Sequence, residues 1–126
     1  GVEVHLVVSE KGDHFLVSLA QESYYEEMLE AGVRVHLYRK NFLHAKHLSV
    51  DNAVAVIGSS NLDIRSFALN AEVMLMLYDP GVAAQLADEQ EHYFAHSRLL
   101  SLEAWSERPF RSKFAENLAR LLSPLL

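Results

Sequence analysis

Apolar and polar residues alternate at the head of the chain, where Val2, Val4 and Leu6 hold every second position before Val7 and Val8 close the run. A period of two marks a strand with one face on a core, so residues 2–8 are expected to form one. Ser9 to Asp13, with Gly12, read as a loop. From His14 to Ala31 the period changes: Phe15, Leu19, Tyr24 or Tyr25, Met28 and Leu29 recur at helical spacing, and Gly32 stands where a left-handed cap ends a helix. Residues 33–38 alternate once more. GVEVHLV at 1–7 and GVRVHLY at 32–38 echo one another. Strand, helix and strand in that order predict a right-handed crossover between parallel strands.

After a polar corner at Arg39, Lys40 and Asn41, residues 44–50 have strand character, Asp51 and Asn52 fit a two-residue turn, and residues 53–57 return as a second apolar strand. Residues 71–77, AEVMLML, read as a further buried strand. Asp79 and Pro80 signal the start of a helix over 81–96. Residues 99–108 connect, with a short helix at 102–105, and Pro109 opens a last helix through Leu122. The expected fold class is α/β: a mixed, mostly buried β-sheet with flanking helices, in one domain over 1–126 with no linker.

Composition narrows this picture. Half of the residues are hydrophobic and 22% charged, an ordinary globular balance for 126 residues. Eleven Lys plus Arg against seventeen Asp plus Glu give a formal charge of -6. That is the wrong sign for a domain whose affinity comes from neutralising many phosphates, so a nucleic-acid partner is disfavoured. With no cysteine, neither disulfides nor thiolate metal sites are available. No apolar run approaches the ~20 residues of a spanning helix. Gly1 leads at once into the alternating run, which reads as a soluble fragment starting just inside a larger protein, and LLSPLL reads as a natural end.

The chemistry gathers between 42 and 72. His44, Lys46 and Asp51 stand at H-x-K-x4-D spacing, followed by Gly58, Ser59 and Asn61 as G-S-x-N. Six fixed identities, each met at roughly one in twenty, arise by chance on the order of 10^-8 per starting position. Period two puts His44 and Lys46 on one face at the head of a strand, and the returning strand brings Gly58, Ser59 and Asn61 beside His44. These types suit a phosphodiester. An imidazole is both acid and base near neutral pH, and an ammonium meets the charge that builds on the non-bridging oxygens. Ser59 and Asn61 add neutral donors, and Gly58 lets the backbone approach. Asp51, at the hairpin tip, is expected to act mainly through structure. Glu72, in an apolar strand, needs a reason for its charge. Pairing with His44 to hold its tautomer is one reading, and a solvent-facing strand end is the other. His92 and His96 lie four apart on a helix, but no third ligand accompanies them, and no metal is expected.

The arrangement resembles the HKD motif of the phospholipase D superfamily, whose members cleave or exchange phosphodiester bonds. SYYEEMLEAGV at 23–33, FLHAKHLSVD at 42–51, GSSNLDIRSFALNAEV at 58–73 and the closing RLLSPLL are similar to the C-terminal catalytic half of bacterial cardiolipin synthases. The resemblance implies a phospholipase D-like half that transfers a phosphatidyl group between phosphatidylglycerol molecules through a phosphohistidine, without a cofactor. It implies His44, Lys46, Asp51 and Glu72 as catalytic, with Lys46, Ser59 and Asn61 on the phosphate. Arg65 and Ser66 are candidates for the head-group pocket, Arg65 being equally readable as an anchor of its loop. Such sites use two motifs, so the implied partner is an N-terminal HKD half of the same protein or a second copy, with His44 as acid and base. The implied setting of the whole protein is the bacterial inner membrane, reached through an N-terminal region. A homodimeric phosphodiesterase or nuclease, and a non-catalytic dimerisation module, are the alternatives.

Overall fold

The computed structural model describes residues 1–12 and 14–122. Asp13, which closes the first expected loop, and residues 123–126 of the expected natural end lie outside the described residues. The chain gathers into two compact units, the first built from residues 1–43 with the segment from His96 onward, the second from His44–Ala95.

The first unit holds a three-stranded sheet ordered β1 (His5–Ser9), β2 (Arg34–Tyr38) and β6 (Ser97–Leu99). β1 and β2 pair in parallel from His5↔Arg34 to Ser9↔Tyr38, as a strand, helix, strand unit requires. The single helix expected over 14–31 is instead two, α1 (Phe15–Glu22) and α2 (Tyr25–Glu30). The break has a local cause: the Ser23 hydroxyl donates to the Ala20 carbonyl at 2.6 Å and Tyr24 N–H bonds Gln21 O at 3.2 Å, which tightens the turn. Gly32 ends α2 at φ +86°, with its N–H on Leu29 O and that of Val33 on Met28 O, a Schellman cap. β6, at the junction between the expected helix over 81–96 and the expected connection from 99, was not foreseen as a strand, and it pairs antiparallel with β2. Two helices complete the unit, α5 (Leu102–Ser106) and α6 (Phe110–Leu122). Tyr25, Val35, Leu37, Leu100 and Trp105 form its core. Tyr25 and Trp105 rings meet at 5.3 Å, and the Arg108 guanidinium lies over the indole while bonding Glu116 at 3.0 Å.

The second unit holds β3 (His47–Val50), β4 (Val54–Gly58) and β5 (Met74–Leu77), all antiparallel. Asp51 and Asn52 adopt φ of 48° and 52°, the pair of positive values of a type I′ turn, which is why the hairpin closes there. α4 (Pro80–Ala95) starts where Asp79 accepts from Gly81 N at 2.7 Å and Val82 N at 3.1 Å. It packs on the hairpin: Ser49 donates to Gln90 at 2.6 Å, Gln90 donates to His47 Nδ1 at 3.2 Å, and His47 stacks on Tyr93. A short helix unmarked by periodicity, α3 (Ile64–Ala68), is capped by Asp63, whose side chain accepts from Ser66 N at 2.7 Å. Two expectations change here. The one mostly buried sheet is two small sheets, and β5, read as buried, is largely exposed.

Candidate active site

Apart from Asp51 in the β3–β4 turn, the motif residues lie on three short pieces of the second unit: the segment entering β3, the end of β4 with the loop leaving it, and the segment entering β5. His44 and Lys46 precede β3, which begins at His47, so the strand expected from residue 44 starts three residues later. The spacing still brings the side chains together. Lys46 Nζ lies 2.8 Å from His44 Nε2 and 3.2 Å from His44 O. An ammonium has only donors, so His44 Nε2 is the acceptor in this pair and its lone pair points at the lysine. In the neutral ring the proton then sits on Nδ1.

The loop after β4 is tied to the start of β5. Gly58 N–H bonds Lys46 O at 3.0 Å, and Ser59 N–H bonds Val73 O at 3.0 Å. A Cβ on Gly58 would lie 2.3 Å from Val73 O and 2.9 Å from Met74 Cα, so glycine is required by the neighbouring strand. The Ser59 hydroxyl accepts from Val73 N at 3.0 Å and donates to Glu72 Oε2. Ser66, buried, accepts from Asn61 N at 3.0 Å and donates to Glu72 Oε1 at 3.0 Å, and Asn70 donates to the same oxygen at 3.5 Å. Glu72 is therefore a knot joining three segments. The hydroxyl of Ser59, then that of Ser66, holds its carboxyl below the ordinary carboxylate range, and Asn70 and the charge of Lys46 act in the same direction.

This arrangement revises several sequence expectations. Glu72, read as a partner for His44, takes its hydrogen bonds from Ser59, Ser66 and Asn70. Ser66, a candidate for the head-group pocket, is buried here, with its hydroxyl proton and one of its lone pairs engaged. Ser59, expected on the phosphate, donates its proton to Glu72 in this state. Asp51 contributes the turn through its backbone, well along the hairpin from His44. Asn61 is exposed, with its backbone N–H fixed by Ser66, and Arg65 is half-buried on α3. Among the described residues no three His, Cys, Asp or Glu side chains cluster as a metal site. The polar partners that sequence reading overlooked are Asp63 and Asn70. The first was findable, since an Asp three residues ahead of Ser66 is an N-cap signal.

The second unit thus offers an exposed imidazole with a directed lone pair, a lysine cation against it, and a carboxylate that fixes the adjoining loop. Such a set can hold an anionic phosphoryl group and move one proton at one nitrogen.

A protein-family model described as "Cardiolipin synthase, PLD-like domain" matches residues 1–96. A cardiolipin synthase of Geobacillus kaustophilus is 42% identical over all 126 residues, and cardiolipin synthase A of Serratia proteamaculans is 40% identical over the same length. The chain spans about a quarter of the length of these curated relatives, 25% and 26% respectively. Among solved structures, the phospholipase D family member Nuc from Salmonella typhimurium aligns with a TM-score of 0.67 at 22% identity, over 80% of this chain and 66% of that one. Phosphatidylserine synthase of Haemophilus influenzae aligns with a TM-score of 0.73 at 23% identity, over 100% of this chain and 36% of that one. At those identities the two structures speak for the fold.

Proposed function

The chain belongs to the phospholipase D-like domain family of cardiolipin synthases, and from that membership we propose that it supplies one of two half-sites for phosphatidyl transfer between phosphatidylglycerol molecules. The observation that carries the reading is the identity of about 40% across all 126 residues to relatives named for cardiolipin synthesis. The geometry around His44 supports it.

In the proposed reaction a histidine of the other half attacks phosphorus through nitrogen while the bond from phosphorus to the glycerol oxygen breaks. The leaving oxygen takes its proton from His44 Nε2. The hydroxyl of a second phosphatidylglycerol then returns a proton to that nitrogen as its oxygen displaces the histidine of the other half, and cardiolipin and glycerol are the products. His44 must therefore alternate between protonated and neutral forms. The 2.8 Å contact from Lys46 belongs to the neutral form, in which Nε2 can accept. Protonation of Nε2 turns the contact into one between two cations and releases the ammonium towards the phosphoryl oxygens, where negative charge is building. Glu72, through Ser59 and Ser66, acts as a positioning residue that keeps Asn61 and the loop after β4 in place. The partner half is a second HKD unit of the same protein or a second copy of this chain, and the work is done at a membrane surface.

The test is cardiolipin formation and glycerol release from phosphatidylglycerol, measured for the chain alone and after mixing with a polypeptide carrying the other half. Transfer is expected on mixing, with His44→Ala lowering it by roughly 10^2–10^4-fold. Robust transfer by a strictly monomeric sample of this chain would sink the two-histidine account. Plasmid cleavage abolished by His44→Ala would move the substrate from lipid to nucleic acid.

A further inference from the structure

α6 is built inside out. An amphipathic helix on a globular protein normally turns its apolar stripe to the core. Here Phe110, Phe114, Leu118 and Leu121, spaced to share one side of the helix, are 79%, 61%, 54% and 76% exposed. The inward side is mostly polar. Glu116 is buried against Arg108, Lys113 bonds Glu26 at 3.2 Å, and Arg120 pairs with Glu27 while its guanidinium lies 4.2 Å from the Tyr24 ring centroid. Three ion pairs and a buried Ala119 thus fix the roll of the helix with its large apolar residues outward. α1, which packs beside α6, also leaves Phe15 and Leu16 exposed. The family model ends at residue 96, so this helix lies beyond the matched domain, although the cardiolipin synthase relatives align through it.

Charge selects the occupant. The chain as a whole is acidic at -6, yet α6 carries Arg111, Lys113 and Arg120 against the single acid Glu116, and that acid is buried. Lys113 and Arg120 are engaged inward, while Arg111 is exposed at the edge of the stripe with no ion-pair partner among the described residues. The outward side of α6 therefore presents large apolar groups, two of them phenylalanines in contact, bordered by Arg111, while the one acid within the helix, Glu116, is buried. An exposed apolar helix face bordered by a cation suits the boundary between headgroups and acyl chains of an anionic bilayer.

We infer that the outward face of α6, with Phe15 and Leu16 of α1, is a docking surface for an anionic lipid bilayer. The identity of the occupant rests on the lipid reading of the site above. Docking there would hold the chain at the surface from which a phospholipid substrate must be taken.

The experiment is flotation of the 126-residue chain with vesicles of phosphatidylglycerol mixed into phosphatidylcholine, and with vesicles of phosphatidylcholine alone. The chain should float with the anionic vesicles. Phe114→Ser combined with Leu118→Ser should reduce that by roughly tenfold or more, and Arg111→Gln should lower the preference for anionic vesicles about fivefold. Both sites face outward, so circular dichroism and the fluorescence of the sole tryptophan, Trp105, should be unchanged. Equal flotation of the folded double variant overturns the inference. So does a concentration-dependent dimer that the same substitutions abolish, which would make a second copy the occupant. His44→Ala should float like the parent chain. Flotation without transfer in the mixing experiment would then defeat the catalytic reading alone, and transfer without flotation would defeat this one alone.

Discussion

The two units handle their apolar residues in opposite ways. The first buries Tyr25, Val35, Leu37, Leu100 and Trp105 in one cluster between its sheet and helices. The second, which carries His44, buries Ala55 and Ala83 among its described apolar residues and leaves Leu48, Val50, Met74 and Met76 exposed on its sheet. What orders the second unit is largely polar: the I′ turn, the hydroxyls and amide around Glu72, and the bonds from Gln90 to Ser49 and His47. Hydrophobic burial is non-directional and roughly proportional to area, whereas hydrogen bonds fix distances and angles. The comparison teaches that bulk stability and the placement of the side chains around His44 are carried by different parts of this chain.

The strongest way to break that division is to empty the core of the first unit. Trp105→Ala removes the ring that Tyr25 and Arg108 pack against, and should cost about 3–5 kcal/mol. Urea unfolding followed by circular dichroism measures the loss. Residue-level hydrogen exchange should show protection falling in β2 while the β3–β4 hairpin keeps its own. A parallel loss in the hairpin would mean that the units unfold as one body and that the division is wrong.

A smaller, complementary effect is expected from Gly58→Ala. The added methyl meets the Val73 carbonyl and the Met74 backbone, neither of which can yield as a flexible side chain would. The cost should be about 1–3 kcal/mol, confined to the second unit, with transfer in the mixing experiment falling up to about a hundredfold as the loop shifts. Unchanged transfer would show that the tie between β4 and β5 does not position the site.

The same division explains what could be read from the sequence. Long periodic segments were legible: the parallel β1 and β2, the Gly32 cap, α4 and α6 all stand within a few residues of where the pattern put them. The Asp51–Asn52 turn was legible because those residue types tolerate positive φ. β6 was not, since three residues carry no period and Ser97–Leu99 becomes a strand only by pairing with β2. The break at Ser23 depends on a side chain competing with the backbone, which a count of apolar positions misses. At the site, the nearness of His44 and Lys46 followed from their spacing, although they lie ahead of the strand. The partners of Glu72 did not, because hydroxyls six and thirteen residues away reach it only through the folded loop. The outward stripe of α6 was hidden for a related reason: periodicity shows that a helix is two-faced, and only the ion pairs show which face turns in.

The mildest perturbation separates the units by pH. Burial in the first unit pushes the Tyr25 hydroxyl up to about 12, against the downward pull of its bond from Gln21 and with the charge of Glu22 adding to the rise. The folded form therefore favours the neutral phenol more than the unfolded chain does. That contribution is fully present below the unfolded value near 10 and is lost as pH rises through about 12. Between those values the first unit should lose stability while the hairpin, which contains no tyrosine, is spared by this group. Tyr25→Phe forfeits the bond with Gln21, a loss of about 0.5–1.5 kcal/mol at neutral pH, yet it removes the ionisation. The variant should be the less stable protein at pH 7 and should have the flatter urea midpoint between pH 10 and 12. If parent and variant decline in parallel over that range, another group controls the alkaline limb and the burial of Tyr25 does not set it.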